Sequence, residues 1–591
     1  MELKKDFTAS IIKTLLATLS IAYYCEIDRN VFFLIVIFIL IYVFFKTNKY
    51  SKNIYTTILS TITNILLVLG KYLAFIESGV GYRTIAIRSI LCLIGGFILF
   101  KELYNYIFAL IDKKKINSKQ SKIKPIYIFV ISFIIILLAW VIVLIAEYPT
   151  PMMQDTLNQF MQIFGDAKYH NDHPFIHTMY IKALYDLASL FFKSQNNRLF
   201  FMASFQTILN ASFYSFVSYY IYKKTNSILA SFLTTLFYAF VSYNSVSNIT
   251  ISKDTSFTLA SNLLLISTIF LVGKRNVKSI ILFIFSSLLF CLVRKNGLYA
   301  YLFAFIVTAL VFVITKRNKH LLLYVAISLL LAIFTKNTII PNVISNMNKN
   351  NNHINEQSSF NEKNRQANYS IYIPAEIPMQ QIANVVCHNR QLTEEEKKII
   401  EFRCPIDVIK SEYDKYIIDP IAKAVREHTD YYSTEYSGTD YLKLWISLLF
   451  KYPQDFIESY VYLTRHYFYP NRIVNTNNYY VTNNDYGFNK APLISNDFTN
   501  NVETNLDSQR NIPILNILYS PGTMMFIVFM LFLYYLYKKK YSLSIILSFF
   551  IGIWMTLMLV TPCSDSFRYI YPVVGAIPLI ICLPLLKEEV E

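Results

Sequence analysis

Charged residues are scarce in this chain of 591 residues, at 16%, against 54% hydrophobic and 16% aromatic residues. The mean hydropathy is +0.38. So apolar a composition excludes a soluble protein, and several stretches of about 20 residues lack charge altogether, which is long enough to span a bilayer. The chain also lacks a secretory signal with a cleavage site. We therefore interpret the first apolar segment, from Thr8, as a retained span.

Acidic residues are outnumbered, with 38 Asp and Glu against 55 Lys and Arg, which gives a formal net charge of +17. No basic face on a folded domain is visible, so we predict no nucleic-acid partner. The cations instead lie in short gaps between apolar runs, as in the cytoplasmic loops of multi-pass proteins. These basic clusters fall within residues 46–52, 113–124, 223–224, 274–278, 316–319 and 538–540.

Cysteine is also rare, and the seven that occur form no metal-binding pattern. Five of them lie in or beside apolar runs. Cys387 and Cys404 share one polar segment, where they could pair in an oxidising compartment or remain free thiols. The spacing does not decide between the two.

The apolar runs predict an all-α polytopic membrane protein with about fourteen transmembrane helices. If both termini are cytoplasmic, every basic cluster falls inside. The segments around Asp155, Asp254, Arg294 and Arg568 then fall outside, on the extracytoplasmic face of the membrane. The predicted spans are residues 8–24, 31–46, 54–76, 85–109, 126–147, 198–222, 227–248, 256–272, 279–293, 298–314, 320–337, 521–537, 541–560 and 572–586.

These spans divide the chain into four regions. They are N-terminal transmembrane helices with a basic cytoplasmic loop (1–125), a transmembrane module with its first large external loop at 148–197 (126–337), an external and mainly helical domain (338–520), and C-terminal transmembrane helices (521–591).

The external domain begins with an Asn-rich stretch, SNMNKNNNHINEQSSFNEKNRQ, which we interpret as a linker. Thr393 and Glu396 then have capping-box spacing, which predicts a helix start. Residues 440–466 are amphipathic, but Lys451 and Pro453 argue against a span, so we predict a helix lying on the membrane or on the domain. The later stretch YPNRIVNTNNYYVTNNDYGFN mixes Tyr and Asn, as sugar-contacting loops do and as a simple Asn bias would.

The first large external loop opens with YPTPMMQDTLNQF. Thr150 can cap a short helix that begins at Pro151, because proline is tolerated in the first turn. One face of this helix is polar and the other apolar, so we predict that it lies flat at the interface. The polar face carries Asp155, Asn158, Gln159 and Gln162, and the apolar stripe carries Met153, Leu157, Phe160, Met161 and Phe164.

The position of Asp155 favours a functional role for its carboxylate. Such a group can act as a general base toward a hydroxyl, or it can hold a divalent cation such as Mg²⁺ or Mn²⁺. A favourable charge near a helix N-terminus is the simpler alternative. The surrounding amides and histidines, just outside the predicted bilayer, favour the functional interpretation. Whether a metal is required stays open.

Three of the eight histidines follow in the stretch HNDHPFIHT. His173 and His177 have i, i+4 spacing and share one helical face if Asp172 is the N-cap. This spacing is typical of zinc ligands, but no third ligand is evident. Binding a phosphate or orienting another group are the alternatives.

Three other external turns carry charges that a simple loop does not need. They are ITISKDTSF, with Lys253 and Asp254, CLVRKNGLYAY, with Arg294, and TPCSDSFRYIYP, with Arg568 and Tyr569. Lysine and arginine residues in external loops are unexpected, because the positive-inside bias places most of them in cytoplasmic loops. Any one of these cations, taken alone, could simply extend toward lipid headgroups. Together beside a carboxylate they indicate an anionic ligand, most simply a lipid phosphate.

The loop YPTPMMQDTLNQF…HNDHPFIHT, followed by SKDTSF, RKNG, MQQIANVV, KYPQDFIESYVYLTRHYFYP and SFRYIYP, resembles a bacterial family of polytopic proteins of unknown function, DUF6020. The resemblance covers residues 126–586. Members of that family look like GT-C-type glycosyltransferases, similar to protein mannosyltransferases and the aminoarabinose transferase of lipid A. The resemblance therefore implies a GT-C-like module and a sugar donor carried on polyprenyl phosphate, with no certain cofactor.

Carried over residue by residue, Asp155 matches the catalytic Asp of the first external loop in such enzymes. Lys253, Arg294 and Arg568 become candidates for binding the donor phosphate. The supporting candidates are His173, His177, Asp254, Asn158, Gln159 and Tyr569. The chain departs from the two-carboxylate pattern of protein mannosyltransferases, because Thr156 follows Asp155. It also lacks a DxD motif and has Asp172 where relatives often have a second histidine.

The expected function is transfer of a sugar from a polyprenyl-phosphate carrier to an extracytoplasmic acceptor with inversion at the anomeric carbon. A polymerase or ligase of lipid-linked polysaccharide is one alternative. A flippase or transporter of lipid-linked glycans is another, but transporters bury ionisable residues at mid-span and often contain repeats. Here the predicted spans carry few charges and no repeat is found, so chemistry at one membrane face is favoured.

Overall fold

The computed structural model is helical over most of its length. It describes residues 2–27, 30–47, 53–77, 79, 81–113, 123–350, 376–428, 436–470, 473–474, 476–564 and 566–586. Helix accounts for 81% of the structure, and these ranges contain no strand. The prediction of an all-α protein is confirmed.

The first group of helices is long and apolar, and a single polar loop separates the fourth from the fifth. Continuous runs of Leu, Ile and Phe give these segments their helical form, since every backbone group is then satisfied within the segment. The helices are α1 (Glu2–Cys25), α2 (Val31–Thr47), α3 (Ile54–Glu77), α4 (Tyr82–Lys113) and α5 (Pro125–Ala146).

The second group begins with two shorter helices that belong to the first large loop. Apolar helices follow, and a π-helical turn at Thr335–Ile339 joins the last two into one rod. The group comprises α6 (Gln154–Phe164), α7 (Phe175–Ser189), α8 (Gln195–Thr225), α9 (Ile228–Phe240), α10 (Ser242–Ile249), α11 (Lys253–Gly273), α12 (Val277–Leu292), α13 (Lys295–Thr315), α14 (Lys319–Phe334) and α15 (Ile340–Asn350).

The third group contains a cluster of short polar helices and three final apolar ones. The short helices are α16 (Glu376–Cys387), α17 (Glu394–Arg403), α18 (Ile406–Glu412), α19 (Asp419–His428), α20 (Gly438–Lys451), α21 (Pro453–Phe468) and α22 (Asn496–Ser508). The apolar ones are α23 (Pro521–Tyr537), α24 (Tyr541–Val560) and α25 (Tyr571–Cys582).

Within the described residues, eight helices are long and apolar enough to cross a membrane, and the pair α9 and α10, bent by 58°, makes a ninth if it is one span. These eight coincide with eight of the fourteen predicted spans. Four further predicted spans correspond to apolar helices of 10–17 residues, and the remaining one corresponds to α8. The helices suggest a multi-pass membrane protein, and fourteen spans remain a prediction.

The helices of the central bundle are tied together by buried polar contacts. In α5, Trp140 donates its indole N–H to the carbonyl of Tyr238 in α9 at 2.9 Å. The Tyr238 hydroxyl in turn donates to the carbonyl of Gly575 in α25, also at 2.9 Å. Tyr214 of α8 packs on the same ring, with centroids 4.3 Å apart. These contacts fix α25, whose N-terminal end carries one wall of the site described below.

The N-terminal helices attach to the rest of the protein through α3. At Gly70 a Cβ atom would lie only 2.3 Å from the ring of Tyr469, which follows α21. At the last residue of α3, Glu77 pairs with the buried Arg465 guanidinium at 3.6 Å and with Lys415 at 3.9 Å. The end of α3 therefore docks on the helical domain formed by α16 to α21.

Several local predictions about that domain have clear outcomes. The capping box is confirmed, because Thr393 accepts from Glu396 N and Glu396 accepts from Thr393 N. Residues 440–466 form two helices, since α20 ends at Lys451 and Pro453 begins α21. Cys387 and Cys404 are free thiols.

The predicted linker begins too early. Residues 345–350 continue α15, so the rod that starts in α14 runs past the end of the predicted span at 337. The rest of that linker, within 351–375, lies outside the described residues, as does most of the basic loop 113–124.

We predict that Gly70→Ala loosens the attachment of α3, because the added methyl group meets Cβ and Cγ of Tyr469, which cannot swing away as a side-chain tip can. Overpacking of this kind costs about 1–3 kcal/mol, so the thermal unfolding midpoint should fall. Gly81→Ala is the matched control, since nothing lies within 4 Å of its Cβ position. Equal midpoints for the two variants would contradict the contact.

Candidate active site

The helix that carries Asp155 begins three residues later than predicted. Its first residue is Gln154, and its N-cap, Met153, offers no side-chain hydrogen bond. Thr150 is not the cap, because its hydroxyl donates to the carbonyl of Ile249 at 2.7 Å and so ties the loop to the end of α10. Asp155 lies in the first turn of α6, where the helix dipole favours a negative charge.

Two side chains of the predicted polar face of α6, those of Gln159 and Gln162, face the protein interior, so the prediction of a flat helix with a polar outer face is wrong. Gln159 and Gln162 are fully buried. The Gln159 amide donates to the Thr178 hydroxyl at 2.9 Å, and its carbonyl oxygen lies 2.9 Å from Nδ1 of His177. Helix α7 covers this face, and a buried amide needs such partners.

The Asp155 carboxylate contacts cations from two distant parts of the chain. One oxygen lies 3.1 Å from Nζ of Lys253 and 3.2 Å from a guanidinium nitrogen of Arg568. The other oxygen lies 3.9 Å from Nδ1 of His173. The Asp155 side chain is 30% exposed, so the cluster is open to a ligand on one side.

Behind Asp155 lies a second, more deeply buried layer of charge. Asp254, whose side chain is 6% exposed, pairs with Arg294 at 2.6 Å and with Arg568 at 3.8 Å. The Tyr569 ring lies between the two guanidinium groups, whose central carbons are 4.7 Å and 4.9 Å from the ring centroid. Arg568 therefore joins both layers, because it contacts Asp155 and Asp254 together.

Local hydrogen bonds place Lys253 at this point. Ser252 caps α11 by accepting from the Asp254 N–H at 3.1 Å. The turn before it is held by Thr156, whose hydroxyl donates to the Ile251 carbonyl at 2.8 Å. Thr156, the residue after Asp155, thus anchors the loop that presents Lys253.

Arg294 is placed by an unusually close approach of two helices. It is the N-cap residue of α13, and the following Gly297 lies against α12, where a Cβ atom would come within 1.9 Å of the Phe290 carbonyl oxygen. Only glycine permits this contact. The RKNG motif thereby turns the guanidinium inward toward Asp254.

His173 lies in the site, but its predicted helical context is wrong. Helix α7 begins at Phe175, and the Asn171 side chain, not that of Asp172, accepts from the Phe175 N–H at 2.9 Å. His173 lies before the helix and contacts Lys253 and Asn158, each at 3.3 Å. Asp172 instead pairs with Lys295 at 3.4 Å.

His177 is on α7 and buried, with 1% of its surface exposed. Burial lowers its pKa to about 3, so the ring is neutral and acts as a partner for Gln159. His173 and His177 therefore have different neighbours and different roles. His177 supports the packing of α6 on α7, whereas His173 contacts the charged cluster.

The electrostatics of the site favour an anion. Three cations, Lys253, Arg294 and Arg568, directly contact the two carboxylates Asp155 and Asp254. Burial alone would raise the pKa of Asp155, but the charges of Lys253 and Arg568 outweigh it and hold that pKa well below its usual range. Burial and, to a smaller extent, the charge of the Lys253 ammonium lower the pKa of His173 to about 4. This ring therefore adds no charge at pH 7.

This set of side chains does not fit a divalent cation at Asp155. Mg²⁺ and Mn²⁺ need several oxygen ligands, usually with more than one carboxylate. Here Asp155 and Asp254 already pair with basic side chains. Among the described residues, three potential metal ligands gather elsewhere, at His388, Asp455 and Glu458, but Arg390 already binds Asp455 through two nitrogens at 2.7 Å and 2.8 Å.

The helical domain brings one carboxylate, Asp419, to the site and a second, Glu376, beside Asp419, and the sequence analysis missed both. The chain around Ile418 pairs with the turn before Arg568, through Ile418 N to the Pro562 carbonyl and Ser564 N to the Tyr416 carbonyl, both at 2.9 Å. Asp419 follows directly and interacts electrostatically with Arg568. Burial raises the pKa of Asp419, while Arg568 lowers it.

The second of these carboxylates is Glu376, at the start of α16. Burial has the largest effect on the pKa of Glu376 and, together with the charge of Asp419, raises it to about 7. The Arg426 guanidinium acts in the opposite direction. Pro420 after Asp419 does indicate a helix start. No local pattern, however, connects that segment with Arg568, which lies about 150 residues later in the chain.

The Tyr- and Asn-rich stretch covers the loop that leads to Asp155. Met152 N donates to the Tyr480 carbonyl at 3.0 Å, and Thr482 N donates back to the Met152 carbonyl at 3.1 Å. Asn196 binds the backbone of Asn489 through its side-chain amide at 2.8 Å and 3.0 Å. Within the stretch, the Asn484 side chain donates to the Thr482 and Phe488 carbonyls, both at 2.8 Å, so structural contacts account for part of the Asn content without a sugar.

Residues 164–591 match the model of a family of unknown function, DUF6020. The chain belongs to this family. The match contains Lys253, Arg294 and Arg568, but it begins nine residues after Asp155. The expected resemblance from residue 126 is thus confirmed only from 164 onward. No curated protein and no solved structure matches the chain.

The low pKa of His173 predicts a specific loss of stability in acid. Between its ordinary pKa of 6.5 and its folded pKa of about 4, the unfolded chain binds a proton that the folded site does not. The free energy of unfolding should therefore fall as the pH is lowered through this window. Protonation of His173 should account for a loss of about 2 kcal/mol at pH 5.

His173→Gln removes that contribution, so the fall in thermal unfolding midpoint from pH 7 to pH 5 should be smaller than in the wild type. His320→Gln, at an exposed histidine in the first turn of α14, is the control and should leave the fall nearly unchanged. If His173→Gln shows the full wild-type fall, the imidazole is already charged or exposed in the native protein.

Proposed function

We propose that this protein is a membrane glycosyltransferase that moves a sugar from a polyprenyl-phosphate carrier to an acceptor outside the cytoplasm. The observation that carries the proposal is the Asp155 carboxylate between Lys253 and Arg568, at 3.1 Å and 3.2 Å. It combines a base with two cations, which are the groups needed for attack by a hydroxyl and departure of a phosphate. The GT-C-like resemblance supports the same reaction.

The position of the cations favours a phosphate borne by a lipid. Lys253 begins α11, Arg294 precedes α13 and Arg568 precedes α25, so all three lie at ends of apolar helices. A phosphate on a long hydrocarbon chain can reach this level while its tail stays beside the helices. A soluble donor would gain nothing from this location.

The site implies an exchange of partners when the donor binds. Without donor, Lys253 and Arg568 hold Asp155 as their counter-ion. The donor phosphate would take over these cations, because guanidinium and ammonium groups bind phosphate strongly. Losing them would raise the pKa of Asp155 toward its usual range, so the carboxylate becomes basic only when the donor is present.

The reaction would then proceed as a single displacement. The acceptor hydroxyl gives its proton to Asp155 as its oxygen bonds to the anomeric carbon. The bond between that carbon and the phosphate oxygen breaks, and its electron pair leaves with the polyprenyl phosphate, whose charge Lys253 and Arg568 stabilise. Attack opposite to the leaving group inverts the anomeric configuration.

The first test compares membrane lipids by mass spectrometry in cells that lack the protein and in cells complemented with wild type, Asp155→Asn or Asp186→Asn. Asp186 is an exposed carboxylate paired with Lys182, so its variant is the matched control. A polyprenyl-monophosphate sugar should accumulate in the deletion and with Asp155→Asn, and should clear with wild type and Asp186→Asn.

Other outcomes distinguish the alternatives. Accumulation of a diphosphate-linked oligosaccharide would indicate a polymerase, a ligase or a flippase. Clearance by Asp155→Asn would remove Asp155 from the reaction. If Asp419→Asn fails to clear the lipid while Asp155→Asn succeeds, the base is the carboxylate of the helical domain.

The partner exchange predicts that turnover and donor binding respond differently to substitution. Asp155→Asn should lower turnover by about a hundredfold or more, the usual contribution of a general base. Its donor affinity should be unchanged or increased, because the cations are no longer shared. Lys253→Met and Arg568→Met should each weaken donor binding. Reduced donor affinity in Asp155→Asn would contradict the exchange.

A further inference from the structure

A cavity of about 490 Å³ lies at the end of the bundle opposite Asp155. Helix α11 connects the two places, since Lys253 at its start contacts Asp155 and Gly273 at its end lines the cavity. The helix has 21 residues, which corresponds to about 30 Å, the thickness of a bilayer core. The cavity and the candidate active site therefore lie at opposite membrane levels.

The cavity combines basic side chains with an apolar floor. The floor is formed by Phe216, Ile269, Phe270 and Leu282, from α8, α11 and α12. Lys223 and Lys224 reach it from the last turn of α8, Lys274 reaches it from the connection between α11 and α12, and Lys278 from the first turn of α12. Among the described residues that line it, none is acidic.

Two tyrosines shape the basic rim. Nζ of Lys223 donates to the Tyr219 hydroxyl at 3.3 Å, and Nζ of Lys224 lies 5.9 Å from the centre of the Tyr220 ring. These contacts hold the two lysines beside the opening. Asn276 and Ser279 add polar groups on the facing side, where they form the capping box of α12.

We propose that this cavity binds the headgroup of an anionic glycerophospholipid from the bilayer leaflet on that side. Four lysines complement a negative phosphate headgroup, and the apolar floor between helices accepts the start of the acyl chains. Basic pockets between membrane helices on the cytoplasmic side are typical sites for such lipids. A soluble anion would use the lysines and leave the apolar floor in contact with water.

The test measures lipid binding to the purified full-length protein in detergent by native mass spectrometry. Phosphatidylglycerol and phosphatidylcholine are titrated separately, and phosphatidylglycerol is titrated again in the presence of inorganic phosphate. Each lysine near an anionic membrane surface strengthens binding about fivefold. The double variant Lys274→Gln/Lys278→Gln should therefore weaken phosphatidylglycerol binding by about thirtyfold.

The control is Lys316→Gln/Lys319→Gln, which removes two exposed lysines that do not line the cavity. It should bind phosphatidylglycerol as the wild type does, and phosphatidylcholine should bind weakly to all three proteins. Equal binding of the two lipids would overturn the proposal, as would an equal loss in both double variants. Full displacement of the lipid by inorganic phosphate would identify a site for soluble anions instead.

Discussion

The ion pairs of Asp155 with Lys253 and Arg568 are the interaction on which the arrangement of this protein depends. Partly buried charges are stable only when they are paired. Because each member comes from a different segment, the pairs require the start of α6, the start of α11 and the turn before α25 to meet at one end of the bundle. Arg568 extends the requirement to Asp254 and Arg294, and so to the boundary between α12 and α13.

The rest of the fold maintains this meeting point. Trp140 and Tyr238 connect α5, α9 and α25 through buried hydrogen bonds. The helical domain pairs its backbone with the turn that carries Arg568, and the end of α3 attaches to that same domain. Helix α3, which lies outside the family match, thus links the N-terminal helices to the domain.

The sequence predicted the elements that obey a local rule. Apolar runs gave the helices, capping-box spacing gave the start of α17, and cations outside the positive-inside pattern indicated Lys253, Arg294 and Arg568. The structure brings these three together around Asp155 and Asp254. Tyr569, Asn158 and His173 also contact the cluster, as expected, whereas Gln159 and His177 lie in the packed interface behind it.

Predictions failed where a distant partner overrides the local pattern. The sequence of α6 is amphipathic, as expected for a helix lying flat on a membrane, but α7 covers Gln159 on its polar face and Phe488 packs on Phe160 of its apolar stripe. Thr150 has the chemistry of a cap, yet its hydroxyl is used by the Ile249 carbonyl. Asp419 approaches Arg568 only because the helical domain folds back over the bundle, which no periodicity reveals.

The exchange of Asp155 for a donor phosphate is the central claim, and a structure with a bound non-hydrolysable polyprenyl-monophosphate sugar tests it most directly. Cryo-electron microscopy of the protein with such an analogue should place the phosphate within hydrogen-bond distance of Lys253 and Arg568, with the Asp155 carboxylate released from both. A phosphate bound elsewhere, with the 3.1 Å and 3.2 Å pairs of Asp155 intact, would contradict the account.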